Sequence, residues 1–133
     1  MKMPLRELQP SQFYISAEKL ARVQAWLDPK DLSRFEALPV KVLDGVPVLT
    51  DGHTRAVAAL LAGLEEVPLA PDEDDLDWEV YRLCVTACRE QGILSTADLI
   101  DRILPAEEYA EKWDGWCDEL HARLTEERKW GNA

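Results

Sequence analysis

The chain has 133 residues, of which 47% are hydrophobic and 31% are charged, a composition typical of a globular protein with a core rather than of a disordered one. The formal net charge is −11 at pH 7. Residues 1–70 carry 8 Lys/Arg and 9 Asp/Glu, whereas residues 71–133 carry 7 Lys/Arg and 17 Asp/Glu. Because the second half is this acidic, it repels phosphate backbones, which argues against duplex DNA as a partner.

No stretch of the sequence approaches the roughly 18 consecutive apolar residues that indicate a membrane span. The charged residues near the N-terminus are not followed by the apolar segment of a signal peptide. We therefore expect a cytoplasmic protein that does not enter the membrane. Its three cysteines are then expected to be reduced rather than paired in disulfides.

The first half begins with a predicted helix and a predicted hairpin. Ser16 is a suitable N-cap residue, and apolar residues follow at helical spacing until Asp28-Pro29 ends the pattern. Two apolar runs over residues 39–43 and 46–49 then flank the dipeptide Asp44-Gly45. Asp-Gly between β-branched runs indicates a β-hairpin, because a type I′ turn needs positive φ at both central residues.

A second helix is predicted directly after the hairpin. It starts at Asp51-Gly52, and Gly63 is expected at its C-terminal end. Most of its circumference is apolar, so we expect it to be buried against a sheet. Val67-Pro68-Leu69 then predicts a third strand.

The second half is predicted to be helical. After an acidic linker over residues 71–75, a helix spans Trp78 to Gln91 and a short helix capped by Ser95 extends to Leu104. A long helix starts at Pro105, with an apolar face at steps of three and four and acidic residues on the other face.

The run PVKVLDGVPVLTDGHTRAVAALLAGLEEVPL over residues 39–69 resembles the core of the ParB/sulfiredoxin-like domain family. That family combines a hairpin, an acidic residue with Gly, polar residues with Arg, an apolar helix and a Gly-Leu-x-x-Val-Pro segment. The resemblance covers residues 5–70 and implies a small mixed sheet with helices there; it does not explain the second half. Together with the helices predicted from the residue pattern, it leads us to expect an α+β protein with a ParB/sulfiredoxin-like domain over residues 1–70 and an acidic three-helix subdomain over residues 71–133.

The resemblance also implies a nucleotide site at the start of the second helix. Members of the family bind the phosphates of CTP, ATP or ADP at this position. The corresponding residues of this chain are Gly52, His53, Thr54 and Arg55. The chemistry of these residues agrees, since a helix N-terminus attracts anions and Arg makes bidentate contacts with phosphate. The expected cofactors are a nucleoside di- or triphosphate and Mg²⁺.

The motif is nearest to the serine-kinase-like branch of the family, whose pattern is Asp-Gly-His-x-Arg. Sulfiredoxins place a Cys after the motif Gly, where this chain has His53, and segregation clamps have Glu-Arg-Arg there. This branch implies phosphoryl transfer to a small-molecule acceptor, with Asp51 and His53 as catalytic candidates. Glu18 is the candidate for the general base that such a transfer needs.

Other interpretations of these residues remain open. Asp51 could cap the helix, Gly52 could serve the turn, and Arg55 could pair with an acid of the second half. The chain would then be a non-catalytic interaction module whose acidic half binds a basic protein or mimics a nucleic acid.

The cysteines allow one further hypothesis. Cys84 and Cys88 are four residues apart on one predicted helix, and Cys117 and His121 are four apart on another, so two facing helices could supply a Cys₃His zinc site. Cysteines in apolar helix faces more commonly behave as small hydrophobic residues, so no metal is expected there.

Overall fold

The computed structural model describes residues 3–131 and shows an α+β fold. Its helices are α1 Ala17–Trp26, α2 His53–Leu61, α3 Trp78–Glu90, α4 Ala106–Tyr109 and α5 Gly115–Gly131. Its strands are β1 Ile15–Ser16, β2 Leu38–Leu43, β3 Val46–Leu49, β4 Leu69–Pro71 and β5 Ile103–Leu104. Short 3₁₀ turns cover Leu5–Glu7, Leu32–Arg34 and Thr96–Leu99. Within the described residues, no helix has the length and apolar character needed to cross a membrane.

The larger sheet has the order β3-β2-β4 and is mixed. β2 and β3 form the predicted antiparallel hairpin, in which Leu43 pairs with Val46. The turn residues Asp44 and Gly45 have φ of 52° and 81°, as a type I′ turn requires. The predicted third strand is confirmed but lies slightly later in the chain, because β4 pairs in parallel with β2 from Leu69 onward.

Both helices predicted in the first half are confirmed. The Ser16 side chain accepts a hydrogen bond from the Lys19 N–H at the start of α1. α2 has the predicted apolar circumference, with every residue from Ala56 to Ala59 buried. Gly63 lies just after α2 with φ of 88°, the left-handed conformation that a residue after a helix end often needs.

The predicted short helix through Leu104 is wrong. Ser95 does cap a turn, but that turn is 3₁₀ and ends at Leu99. β5 follows and pairs in parallel with β1. Arg102 helps to hold β5 beside β1. Its Nε donates to the Phe13 carbonyl at 2.7 Å, and its own carbonyl accepts from the Ile15 N–H at 2.9 Å.

The predicted long C-terminal helix is confirmed with one irregularity. Between α4 and α5, residues Ala110–Asp114 form a π-helical turn, a type of insertion that often accompanies functional sites. The turn includes Trp113, whose ring lies 4.8 Å from the ring of Phe13 and 5.6 Å from that of Trp116. It therefore contributes to the contact between the last helix and the N-terminal segment.

The division of the chain at residue 70 stays a prediction. In the structure, one buried cluster takes side chains from both sides of that position. Ile15 and Val57 contribute from the first half, while Cys88, Leu99 and Trp113 contribute from the second. A second cluster lies around Leu38, Leu49 and the other face of α2.

Substitution of Leu99 tests the importance of the shared cluster. Leu99 is fully buried, so Leu99→Ala should lower the free energy of unfolding by about 2–5 kcal/mol in urea denaturation. The matched control is Leu94→Ala, because the Leu94 side chain is 51% exposed and should lose only about 0.5 kcal/mol or less. Equal losses in the two variants would contradict the packing described.

Candidate functional site

The start of α2 has a backbone conformation that requires glycine. Gly52 is the N-cap residue with φ of 75°, and no side chain caps the first turn. A Cβ at Gly52 would lie 2.7 Å from both Arg55 Nη2 and Leu38 Cδ2, which is too close for a carbon atom. The exposed Asp51 carboxylate accepts from the Gly52 N–H at 2.8 Å but does not cap the helix.

Arg55 lies on one side of this helix start. Its Nη1 donates to the Glu36 carbonyl at 2.7 Å, and its guanidinium carbon lies 5.7 Å from the centre of the Phe35 ring. The interpretation in which Arg55 pairs with an acid of the second half is therefore wrong. The guanidinium is held in place, and the rest of its N–H groups remain available to a ligand.

His53 lies on the other side, because residues two positions apart in a helix are rotated by about 200°. It is only 4% exposed, and its Nε2 accepts from the Ser11 N–H at 3.0 Å. An acceptor nitrogen carries no proton, so the proton of the neutral ring lies on Nδ1. Burial lowers the pKa of His53 to about 4, although the nearby Asp51 carboxylate acts to raise it, so the ring is neutral at pH 7.

A cavity of about 300 Å³ adjoins His53. It lies between the start of α2 and the helices of the second half. Its walls are formed by Ser11, Gln12, Thr50, His53, Leu76, Asp77, Val80, Tyr81, Cys84, Trp113, Cys117 and His121. The site therefore combines residues from segments far apart in the sequence.

A buried polar network closes one side of the cavity. Thr50 Oγ1 donates to Asp72 Oδ2 at 2.6 Å, and the Tyr81 hydroxyl donates to the Thr50 carbonyl at 3.3 Å. Burial raises the pKa of Tyr81, with smaller contributions from the Asp51 and Asp72 carboxylates. The sequence places Asp72 in an acidic linker, where a solvated side chain is expected. In the structure Asp72 is only 8% exposed, and its carboxylate has a structural role.

Of the six predicted site residues, only His53 lines this cavity. Glu18 is exposed and pairs with Arg22 on the same helix. It contributes to a different cavity, of about 240 Å³, together with Lys19 and Tyr109. Thr54 is partly exposed in the first turn of α2. The structure therefore brings Asp51, Gly52, His53, Thr54 and Arg55 together around one helix start, whereas Glu18 is separate.

Within residues 3–131, no three His, Cys, Asp or Glu side chains are grouped so that they could hold a metal ion. Cys88 instead donates to the Gln12 carbonyl at 3.6 Å. Cys84, Cys117 and His121 do line the same cavity. Burial raises the pKa of Cys84 to about 12 and that of Cys117 to about 11, so both thiols are protonated and unreactive at pH 7.

Ser11 and Tyr81 also line the cavity, but neither was predicted from the sequence as a site residue. Ser11 lies in a short irregular segment, and its contact with His53 spans 42 positions. Tyr81 belongs to a helix whose pattern indicates only packing. No local motif marks these residues, so only the folded structure shows that they belong to the site.

Comparison with known proteins gives little further information. No protein-family model matches the chain, and no curated protein matches it. Among solved structures, protein Atu1540 from Agrobacterium tumefaciens is similar over 74% of this chain, with 13% sequence identity and a TM-score of 0.45. The chain spans 60% of the length of that protein. The resemblance to ParB/sulfiredoxin-like domains stays a prediction.

The depressed pKa of His53 predicts a pH dependence of stability. Between pH 6.5 and about 4, the unfolded chain takes up a proton at His53 that the folded chain does not. The free energy of unfolding should therefore fall as the pH is lowered through this range, by about 1.4 kcal/mol per pH unit and about 3 kcal/mol in total from this group.

Urea denaturation across this pH range measures the effect. His53→Gln keeps an acceptor for the Ser11 N–H but does not titrate, so its slope should lack this contribution. Ala122→Gln is the control for the substitution itself, because Ala122 is exposed on α5 and its replacement adds no titrating group, so it should keep the wild-type slope. A wild-type slope in His53→Gln would contradict the buried neutral imidazole.

Proposed function

We propose that the chain binds the phosphates of a nucleoside di- or triphosphate at the start of α2. The observation that carries the proposal is the first turn of α2, which follows Gly52 and has no side-chain cap. A Cβ on residue 52 would collide with Arg55 and Leu38. Free N–H groups and the helix dipole favour an anion at such a position.

Arg55 supports this proposal through its position. Its Nη2 lies against Gly52, while its Nη1 is bound to the Glu36 carbonyl. This contact holds the guanidinium beside the helix start before a ligand arrives, so less conformational freedom is lost on binding. A planar guanidinium can then donate two parallel hydrogen bonds to phosphate oxygens.

Mg²⁺ would accompany the nucleotide. The exposed Asp51 carboxylate is the residue that would hold it, since Mg²⁺ in nucleotide sites is bound by one or two carboxylates together with the phosphates. The ion would screen the negative charge of the phosphates from the acidic chain.

The proposal is limited to binding, because the predicted catalytic residues do not form a catalytic group. Glu18 is exposed, pairs with Arg22 and lines another cavity. His53 Nε2 is occupied by the Ser11 N–H, and its low pKa makes it a poor base at pH 7. Phosphoryl transfer to a small molecule therefore has less support than nucleotide binding.

A second candidate function is binding of a basic protein. The observation that favours it is a row of exposed carboxylates along the last helix. They are Glu107, Glu108, Glu111, Asp114, Asp118, Glu119, Glu126 and Glu127. Lys112 pairs with Glu108 and Arg123 with Glu127, but both contacts are long and exposed, and such pairs neutralise little.

Thr54→Glu tests nucleotide binding without removing a structural contact. The new carboxylate lies at a helix N-terminus, where it should maintain or raise stability by about 0.3–1 kcal/mol. It also repels phosphate. ADP, ATP or CTP with Mg²⁺ should raise the melting temperature of the wild type by several degrees when in large excess, and Thr54→Glu should abolish that rise.

The matched control is Gln24→Glu, which adds the same charge at an exposed position of α1 and should keep the nucleotide response. A wild type that responds to none of the three nucleotides would reject the proposal and favour the basic-partner function. An equal response in Thr54→Glu would place the nucleotide elsewhere on the chain.

A further inference from the structure

We propose that the cavity beside His53 binds an uncharged small molecule, one ring in size, that presents a hydrogen-bond acceptor to His53 Nδ1. This site lies on the opposite side of α2 from Arg55 and does not depend on the nucleotide proposal. It takes a different class of ligand, and different side chains form it.

His53 supplies the donor that a ligand would meet. Its Nε2 accepts from Ser11, which leaves the ring proton on Nδ1. In the part of the chain that the structure describes, no fully buried side-chain nitrogen or oxygen lacks a partner, and the hydrogen bonds of His53 are made through Nε2. Nδ1 is therefore not a fully buried atom, and His53 lines the cavity.

The other donors on this side of the cavity are already engaged. Ser11 Oγ donates to the Leu49 carbonyl at 2.7 Å, and Thr50 Oγ1 donates to Asp72. The Tyr81 hydroxyl donates to the Thr50 carbonyl. Gln12 Nε2 donates to the Tyr14 carbonyl and to the Tyr109 hydroxyl. Of these donors, the His53 Nδ1–H is the one for which the described residues supply no acceptor, and a ligand that matches it needs one acceptor.

Most of the remaining wall favours an apolar ligand, and its polar members are Asp77 and the exposed His121. Leu76, Val80 and Trp113 line the cavity together with the protonated thiols of Cys84 and Cys117. A volume of about 300 Å³ is at the lower end of the range for small-molecule sites, and predominantly apolar walls with few polar groups are typical of them. The size and the walls together point to a single aromatic ring with a short substituent.

The charges around the cavity argue against an ionic ligand. The carboxylates of Asp51 and Asp72 act on Tyr81 at the cavity wall and would repel an anion. The Asp77 carboxylate is bound by Arg128 through two hydrogen bonds of 2.8 and 3.2 Å, so it is not a free counter-ion for a cation. Burial of an unpaired charge is costly, which leaves a neutral molecule.

Three probes of similar size test the proposal by NMR titration of the ¹⁵N-labelled protein. Acetophenone carries a carbonyl acceptor, ethylbenzene lacks one, and benzoate carries a negative charge. Acetophenone should bind about tenfold more tightly than ethylbenzene, the value of one hydrogen bond, and benzoate should bind more weakly than both. The largest shifts should occur at the Ser11 amide and the His53 ring. Tightest binding by benzoate, or shifts confined to other regions, would overturn the proposal.

A cavity-filling variant provides the second test. Cys117→Met adds volume at the cavity wall, whereas Ala122→Met makes a comparable change at an exposed position of α5. Acetophenone affinity should fall at least tenfold in the first variant and stay unchanged in the second. If Cys117→Met does not fold, Leu76→Phe fills the cavity from the loop side and should show the same loss. Unchanged acetophenone binding in a folded cavity-filling variant would overturn the proposal, whatever the outcome of the nucleotide experiment.

Discussion

The hydrogen bond from the Ser11 N–H to His53 Nε2, 3.0 Å long, is the contact on which the candidate site depends. It joins the N-terminal segment to the first residue of α2. The same segment bonds to β3, because the Gln9 N–H donates to the Pro47 carbonyl and the Leu49 N–H donates to the Gln9 carbonyl. The bond fixes the tautomer of a buried imidazole, and it thereby decides which ring nitrogen carries the proton.

This arrangement gives the two sides of α2 different chemistry. Arg55 and the uncapped backbone lie on the side of Glu36, where a negative charge is stabilised by donors and by the helix dipole. His53 lies on the side of α3 and α5, where burial keeps the ring neutral and the buried Asp72 carboxylate accepts a hydrogen bond from Thr50. The two proposed sites on this short helix therefore call for ligands of different charge, and the Asp51 carboxylate at the helix start acts on the protonation of His53.

The sequence predicted the elements whose signals are local. The Asp44-Gly45 hairpin, the Ser16 cap and the apolar circumference of α2 each arise from residues adjacent in the chain. The β1–β5 pair and the π turn before Gly115 were not predictable in this way. The β1–β5 pair is supported by Arg102, which contacts Phe13 and Gln91. The π turn interrupts a helical pattern that is otherwise regular. Likewise, the position of the motif around Gly52 was predictable, but the role of its histidine depends on Ser11.

A spectrum of the His53 imidazole nitrogens tests this account most directly. Long-range ¹H–¹⁵N correlation NMR at pH 7, with His53→Gln used to assign the signals, reports which ring nitrogen carries the proton. The account predicts a neutral ring with the proton on Nδ1 and an unprotonated Nε2. A protonated Nε2, or a doubly protonated ring, would contradict both the Ser11 contact and the proposed donor in the cavity.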